Sequence, residues 1–252
     1  MNRIELFSCP MEVATMHETV EWIEARIESR QFTQHVVVNV AKLVNMQRDA
    51  ELAASVRACD IVNIDGMGVV WGARLMGFPV RERVAGVDLF ERLLQMAAER
   101  GLPVFLLGAT DAVVARTAAV ASARYPALKV AGHHHGYFWD DEESVVETIR
   151  RSGARLLFVA ITSPRKENFI NRWKDRLGVD FVMGVGGTFD VVAGKVRRAP
   201  QWMQRSGLEW VYRVAQEPRR MWKRYFITNS AFALMLVRAR VAAVIDRRKH
   251  GK

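Results

Sequence analysis

The chain is poor in cysteine. Cys9 and Cys59 are the only two among 252 residues. They cannot build a disulfide framework, and no C-x-x-C spacing occurs, so a reducing compartment fits best. The opening MNRIELFSCPMEVATM lacks the basic-then-apolar plan of a signal peptide. Long apolar runs are also missing. The longest late run, residues 231–237, is far shorter than the roughly 20 residues of a spanning helix. Arg238 and Arg240 then interrupt it. The expectation is a soluble or peripheral protein. Internal repeats and low-complexity segments are absent.

What is present is apolar mass and unevenly placed charge. Half of the residues are apolar, enough for one sizeable core, or one core with a small appended unit. The net charge is +10, and residues 195–252 hold fifteen Lys or Arg against Glu209, Glu217 and Asp246. That segment therefore carries +12, and the rest of the chain carries −2. A segment so charged suits an anionic partner: phosphate, anionic lipid or nucleic acid. A solvated basic face is the plainer alternative.

Residues 35–40, 60–64, 103–107, 128–131, 155–160 and 180–183 are rich in Val, Ile, Leu and Phe. Several are continuous apolar runs, as in strands buried on both faces of a parallel sheet. Helical patterns occupy residues 11–29, 49–58, 66–76, 87–100, 111–125, 142–152 and 164–177, with Asp49 and Asp111 placed as N-caps and Pro164 in a first turn. The fold class expected is α/β: a Rossmann-like, mostly parallel sheet flanked by helices, whose ligands sit at the carboxyl ends of the strands. After Gly194 strand patterns stop, and Trp, Arg and Met become frequent. The division expected is residues 1–194 as an α/β catalytic domain and 195–252 as a basic helical appendage. Gly207, Pro218 and Asn229 are read as breaks within that appendage.

Three constellations carry chemistry. In NIDGMGVVWG a strand ends at Asp65, which places a carboxylate at the ligand edge of the sheet. A carboxylate there serves as a general base, or simply caps the following helix. Gly66-x-Gly68-x-x-x-Gly72 also resembles a dinucleotide-binding turn, which would make the chain a nicotinamide-dependent oxidoreductase. The acidic residue expected about 20 positions on is represented by Asp88, but within a helical pattern. In MGVGGTFDVVAGKVRRAP a strand runs into Gly184, Gly186 and Gly187, with Thr188 and Asp190 following. Backbone amides of such a turn cradle phosphate; a close-packed turn without a ligand is the alternative. The appendage interleaves Arg213, Arg219, Arg220, Lys223 and Arg224 with Trp210, Tyr212, Trp222, Tyr225 and Phe226. Arg suits phosphate, and Trp and Tyr suit a membrane interface. No nucleic-acid module is visible, so nucleic acid ranks below an anionic membrane surface as the partner. A non-enzymatic basic binding protein is a third reading.

His133, His134 and His135 lack metal-ligand spacing and are read as a loop with a surface or packing role. The acidic run 140–143 opens the next helix.

In order, these motifs resemble the WecG/TagA/CpsF family of bacterial glycosyltransferases, from about Val36 to Phe226. The resemblance rests on Asn39, IDGMGVVW around Asp65, RERVAGVDLFERL at 81–93, FLLGA at 105–109, YPALKVAGHHHGYF at 125–138 and SPRKE at 163–167. Its longest block is GVGGTFDVVAGKVRRAPQWMQRSGLEWVYRVAQEPRR at 184–220.

The resemblance implies inverting transfer from a UDP-sugar to a sugar on undecaprenyl diphosphate, in cell-surface polysaccharide synthesis. It makes Asp65 the base and puts Asn39 and Arg83 in the pocket. It gives the basic appendage the tasks of closing the site and holding the enzyme on the membrane, peripheral on the inner face of the plasma membrane. There is no D-x-D motif, so neither a donor-binding metal nor a cofactor is expected. The leaving UDP would then rely on the Gly184–Thr188 turn, with Gly186, Gly187 and Thr188, and on Arg213 and Arg220, while Asp190 is counted with the residues that bind substrate. Two positions depart from the family pattern. Val37 stands where many members have Thr, and Lys166, beside Glu167, stands where many have Gln. Both fall near the expected pocket and leave the sugar open among N-acetylmannosamine, its uronic acid, glucose and other hexoses. An exposed apolar face on the appendage would drive homo-oligomer formation when no membrane is present.

Overall fold

The computed structural model describes residues 2–250; the side chains of Arg220, Val244 and residues 246–250 lie outside the described set. The chain opens with a hairpin, β1 (Asn2–Leu6) and β2 (Cys9–Val13), followed by α1 (Met16–Glu28), β3 (Thr33–Val38), α2 (Val40–Met46), α3 (Ala50–Arg57), β4 (Ile61–Ile64), α4 (Met67–Leu75) and α5 (Gly86–Glu99). Then come β5 (Val104–Gly108), α6 (Asp111–Arg124), β6 (Val130–His134), α7 (Glu142–Arg151), β7 (Leu156–Ala160), α8 (Arg165–Trp173), β8 (Phe181–Gly184) and α9 (Thr188–Val192). The chain finishes with α10 (Gln201–Arg205), α11 (Glu209–Gln216) and α12 (Pro218–His250).

The eight strands form one sheet, ordered β1-β2-β4-β3-β8-β7-β5-β6. Every pairing is parallel except β1 with β2. This is the expected α/β architecture, with an antiparallel hairpin added at one edge.

The continuous apolar strands split by alternation, as a period of two requires. Val104, Leu106, Leu156, Phe158, Phe181 and Met183 join the core under α1, α5 and α6. Phe105, Leu107, Leu157, Val159 and Val182 face the opposite layer, with α7 and α8. On that same side, Val36, Val38, Val62 and Ile64 pack against α2, α3 and α4. Because β3, β4, β7 and β8 are parallel, their carboxyl ends share one edge, and Asn39, Asp65, α8 and α9 all follow from it.

Several sequence expectations are corrected. Residues 11–13 are strand, and the helix expected from residue 11 begins at Met16, capped by Thr15 in a reciprocal capping box with Glu18. Residue 40 opens α2, which the apolar pattern assigned to the preceding strand. Asp49 does cap α3. Asp111 is the first helical residue of α6, after the N-cap Thr110. His133 and His134 belong to β6, not to a loop. Gly207 (φ 73°) does separate α10 from α11, and Pro218 opens α12, but Asn229 interrupts nothing. Helix α12 runs unbroken through that position, and within it Met221–Ala243 is long and apolar enough, by length and composition, to cross a membrane.

Helix α12 docks on the body along one stripe. Met221, Thr228 and Phe232 are buried, and Phe232 joins the core beneath α2 and α4. The opposite stripe, Trp222, Phe226, Leu234, Val237, Val241 and Ile245, is exposed. The steps of three, four or eight residues keep it on one side of the helix.

Candidate active site

At the carboxyl edge, α2, α4, α11 and α12 enclose a cleft of about 440 Å³. Asp65 lies on its wall with Asn39, Arg83, Arg213, Arg224 and Tyr225. The chain places the Asp65 backbone firmly, since its N–H continues the β4 ladder to the Val38 carbonyl at 2.8 Å.

Asp65 does not cap α4. That N-cap is Gly66, with φ 116° and no side-chain cap bond. Instead Asp65 Oδ2 accepts the Gly86 N–H at 3.4 Å. Burial pushes its carboxyl pKa above the usual carboxylate range; Arg83 opposes that rise and Glu209 adds to it. A carboxylate that leaves α4 uncapped, makes one long contact with the first amide of α5, lies half-buried at the sheet edge and is raised in pKa is equipped to accept a proton.

Arg83 reaches the cleft because its loop is stitched down. The Arg74 guanidinium donates to the carbonyls of Val80 and Arg81, each at 2.8 Å, and the Val84 N–H donates to the Ile64 carbonyl at 3.0 Å. Arg83 then donates to Glu209 Oε2 at 2.8 Å, and Arg213 Nη2 stands 3.7 Å from Glu209 Oε1. Arg198 forms a bidentate pair with Asp88, a second tie between residues 195–216 and the body. Asp88 thus anchors Arg198. Asn39 N-caps α2, its Oδ1 accepting the Lys42 N–H at 3.0 Å.

The glycine pattern at 66–72 has a packing cause. A Cβ on Gly68 would stand 2.8 Å from Val40 Cγ2, and one on Gly72 would stand 2.7 Å from Phe232 Cζ. Gly68 lets α4 approach α2, and Gly72 receives α12. The dinucleotide reading loses the feature that suggested it.

Lys166, Glu167, Gly186, Gly187, Thr188 and Asp190 are not among the residues that line the cleft. Lys166 and Glu167 open α8 and are buried with Lys42. Glu167 Oε1 lies 2.7 Å from Lys42 Nζ and 2.9 Å from Lys166 Nζ. Burial and Lys42 lower the Lys166 pKa to about 8. Burial pushes Glu167 upward, but the two ammonium groups outweigh it and leave its pKa well below normal. The turn before α9 carries Gly186 and Gly187 with open space above both, Thr188 is buried, and Asp190 pairs with Lys195 at 3.3 Å. Arg220 sits in the first turn of α12, its side chain outside the described residues.

Two residues escaped the sequence, Glu209 on the cleft wall and Lys42 in the buried group with Glu167. Glu209 registers in the sequence only as one of three acids in a basic segment, and Lys42 does not register at all. Neither has a local signal for its partner, which is far away in sequence.

A sequence model of the "Glycosyl transferase WecG/TagA/CpsF family" matches residues 4–244. A protein of Bacillus spizizenii, N-acetylglucosaminyldiphosphoundecaprenol N-acetyl-beta-D-mannosaminyltransferase, is 35% identical over 243 residues, covering 96% of this chain and 92% of that protein. The Bacillus subtilis protein of the same description is 39% identical over 160 residues, 64% of this chain and 62% of its own.

Proposed function

We infer the function from one premise: the chain belongs to the WecG/TagA/CpsF family of glycosyltransferases and is itself a glycosyltransferase. Its acceptor is a sugar carried on a polyprenyl diphosphate. The reading advanced is transfer from a UDP-sugar, without metal and with inversion, and N-acetylmannosamine is the first donor to try. The relatives' names specify a β-linked mannosaminyl product. Making that linkage from an α-linked nucleotide sugar is an inversion.

The observation that carries this reading is Asp65: a carboxylate that does not cap the helix following it, raised in pKa, among the arginines of the cleft. In the step proposed, Asp65 takes the proton of an acceptor hydroxyl. The hydroxyl oxygen forms a bond to the anomeric carbon from the face opposite the diphosphate. The bond from that carbon to the diphosphate oxygen breaks, and UDP departs with the electron pair. The growing negative charge on UDP falls to Arg83, Arg213 and Arg220, with the backbone amides of the Gly186–Gly187 turn.

Residues 1–194 form the catalytic unit in this reading, and 195–252 form a lid and membrane-associating appendage. Two features support a peripheral seat on an anionic membrane surface. The buried stripe of α12 is committed to the body, and its opposite stripe is apolar with the exposed Lys223, Arg238 and Arg240 beside it. Basic residues near an anionic bilayer contribute about 1 kcal/mol each. The test of the function is a donor screen against a short-chain lipid-diphosphate N-acetylglucosamine, with products weighed by mass spectrometry. A hexosamine adduct formed from a UDP donor is expected; no adduct from any UDP-sugar overturns the reading.

A further inference from the structure

Glu209 is an odd residue to find in this cleft. It is one of only three acids in residues 195–252, against fifteen bases. It enters on the first turn of α11 and lines the same cavity as Asp65. Two carboxylates in one half-buried pocket repel each other, and Glu209 contributes to the raised pKa of Asp65. An ion pair that only tied α11 to the body would serve equally well at the rim, as Arg198 and Asp88 do. Its position inside the cleft therefore needs a reason.

That reason lies in what Glu209 touches. Its two oxygens address two different guanidinium groups, Oε2 with Arg83 Nη1 at 2.8 Å and Oε1 toward Arg213 Nη2 at 3.7 Å. Arg83 and Glu209 keep only 13% and 19% of their side-chain surface exposed, while Arg213 keeps 40%. One arginine comes from the body and the other from α11, so the carboxylate bridges the two sides of the cleft. Guanidinium forks bind carboxylate and phosphate by the same planar geometry. Each arginine here makes a single contact, and a carboxylate held between two guanidinium groups is in a setting that also suits a phosphate.

We propose that Glu209 is an internal stand-in for the substrate diphosphate: it holds Arg83 and Arg213 in the anion-binding arrangement and yields them when a diphosphate enters. This rests on the assignment of those arginines to the departing UDP. The exchange has two consequences. The arginines are never left as unpaired, half-buried charges between turnovers, a costly state. The bound diphosphate always competes with a tethered carboxylate, which weakens its hold and favours product release.

A simple latch and a stand-in predict opposite signs. Removing the charge of a latch loosens α11 and weakens ligand binding. Removing the charge of a competitor strengthens it. The experiment is calorimetric titration of the full-length protein and its Glu209→Gln and Glu209→Ala variants with UDP, inorganic pyrophosphate and uridine, at low salt. Thermal melting checks that each variant is folded, and the alanine variant carries the test if the glutamine variant fails. UDP and pyrophosphate are expected to bind either variant about tenfold more tightly than the parent, the equivalent of about 1.4 kcal/mol. Uridine, which has no phosphate, should bind all three proteins alike. Equal or weaker binding of UDP by the folded variants, with the parent binding normally, overturns the stand-in and leaves the arginine assignment standing. A parent protein that binds neither UDP nor pyrophosphate overturns both.

Discussion

Phe232 sits directly on Gly72, so closely that a Cβ on that glycine would stand 2.7 Å from the ring. The same ring meets Phe7 edge-on, with centroids 5.9 Å apart at 84°. One side chain of α12 thereby grips α4 and the turn between β1 and β2. That grip holds the C-terminal wall of the cleft in place. Phe232→Ala is expected to cost about 3–5 kcal/mol, a melting-temperature loss of roughly 10 °C for a chain of this size. Unchanged melting would mean that α12 does not dock in solution.

The buried group of Lys42, Glu167 and Lys166 sets a pH signature. Lys166 has a folded pKa of about 8, below its usual value of 10.5. Between those two values the unfolded chain holds a proton that the folded chain has released, so stability from this group rises with pH across that window. Lys166→Gln should flatten the rise, measured by chemical denaturation from pH 7.5 to 10. Glu167 behaves in the opposite sense, because its lowered pKa stabilises the fold above the usual glutamate range and the benefit is lost on acidification. Glu167→Gln leaves two buried ammonium groups without a counter-charge and is expected to cost about 3–5 kcal/mol.

The exposed stripe of α12 should act as the membrane contact. Phe226→Glu together with Val237→Glu removes apolar area at two well-exposed positions without touching the docked stripe. Sedimentation with anionic vesicles should fall sharply for this double variant while its melting temperature stays near that of the parent. Added salt should weaken the parent's binding as well, since the basic flank is screened. Identical sedimentation of both proteins would remove the stripe from the account.

Transfer without metal, as proposed, makes its own prediction. Exhaustive treatment with a chelator should leave the transfer rate unchanged, and added magnesium or manganese should not raise it. A rate that collapses with chelator and returns with the metal contradicts the assignment of the leaving charge to arginines.

The parallel sheet was legible because β5, β7 and β8 are short, continuous apolar runs between amphipathic helices, and β3 ends in Val36, Val37 and Val38. Asp65 was legible because a strand ending in a carboxylate must place it at the ligand edge. The hairpin was not, since β1 (Asn2–Leu6) is polar and β2 contains Pro10. Helix α2 was hidden for another reason. It is seven residues long and buried nearly all round, Lys42 included, so it has no polar face to reveal a helical period. The unbroken course of α12 depends on its docking against α2 and α4, which outweighs the local signal of Asn229. The role of Glu209 depends on a partner 126 residues away, and no local pattern carries that.

The most direct test of the central claim is the transfer rate of Asp65→Asn, with a UDP-sugar and a lipid-diphosphate acceptor and with UDP binding measured alongside. The substitution keeps shape and removes only the basic carboxylate. The account predicts a rate loss of about 10²–10⁴-fold with UDP binding retained. A folded Asp65→Asn protein that transfers at the parent rate would contradict it.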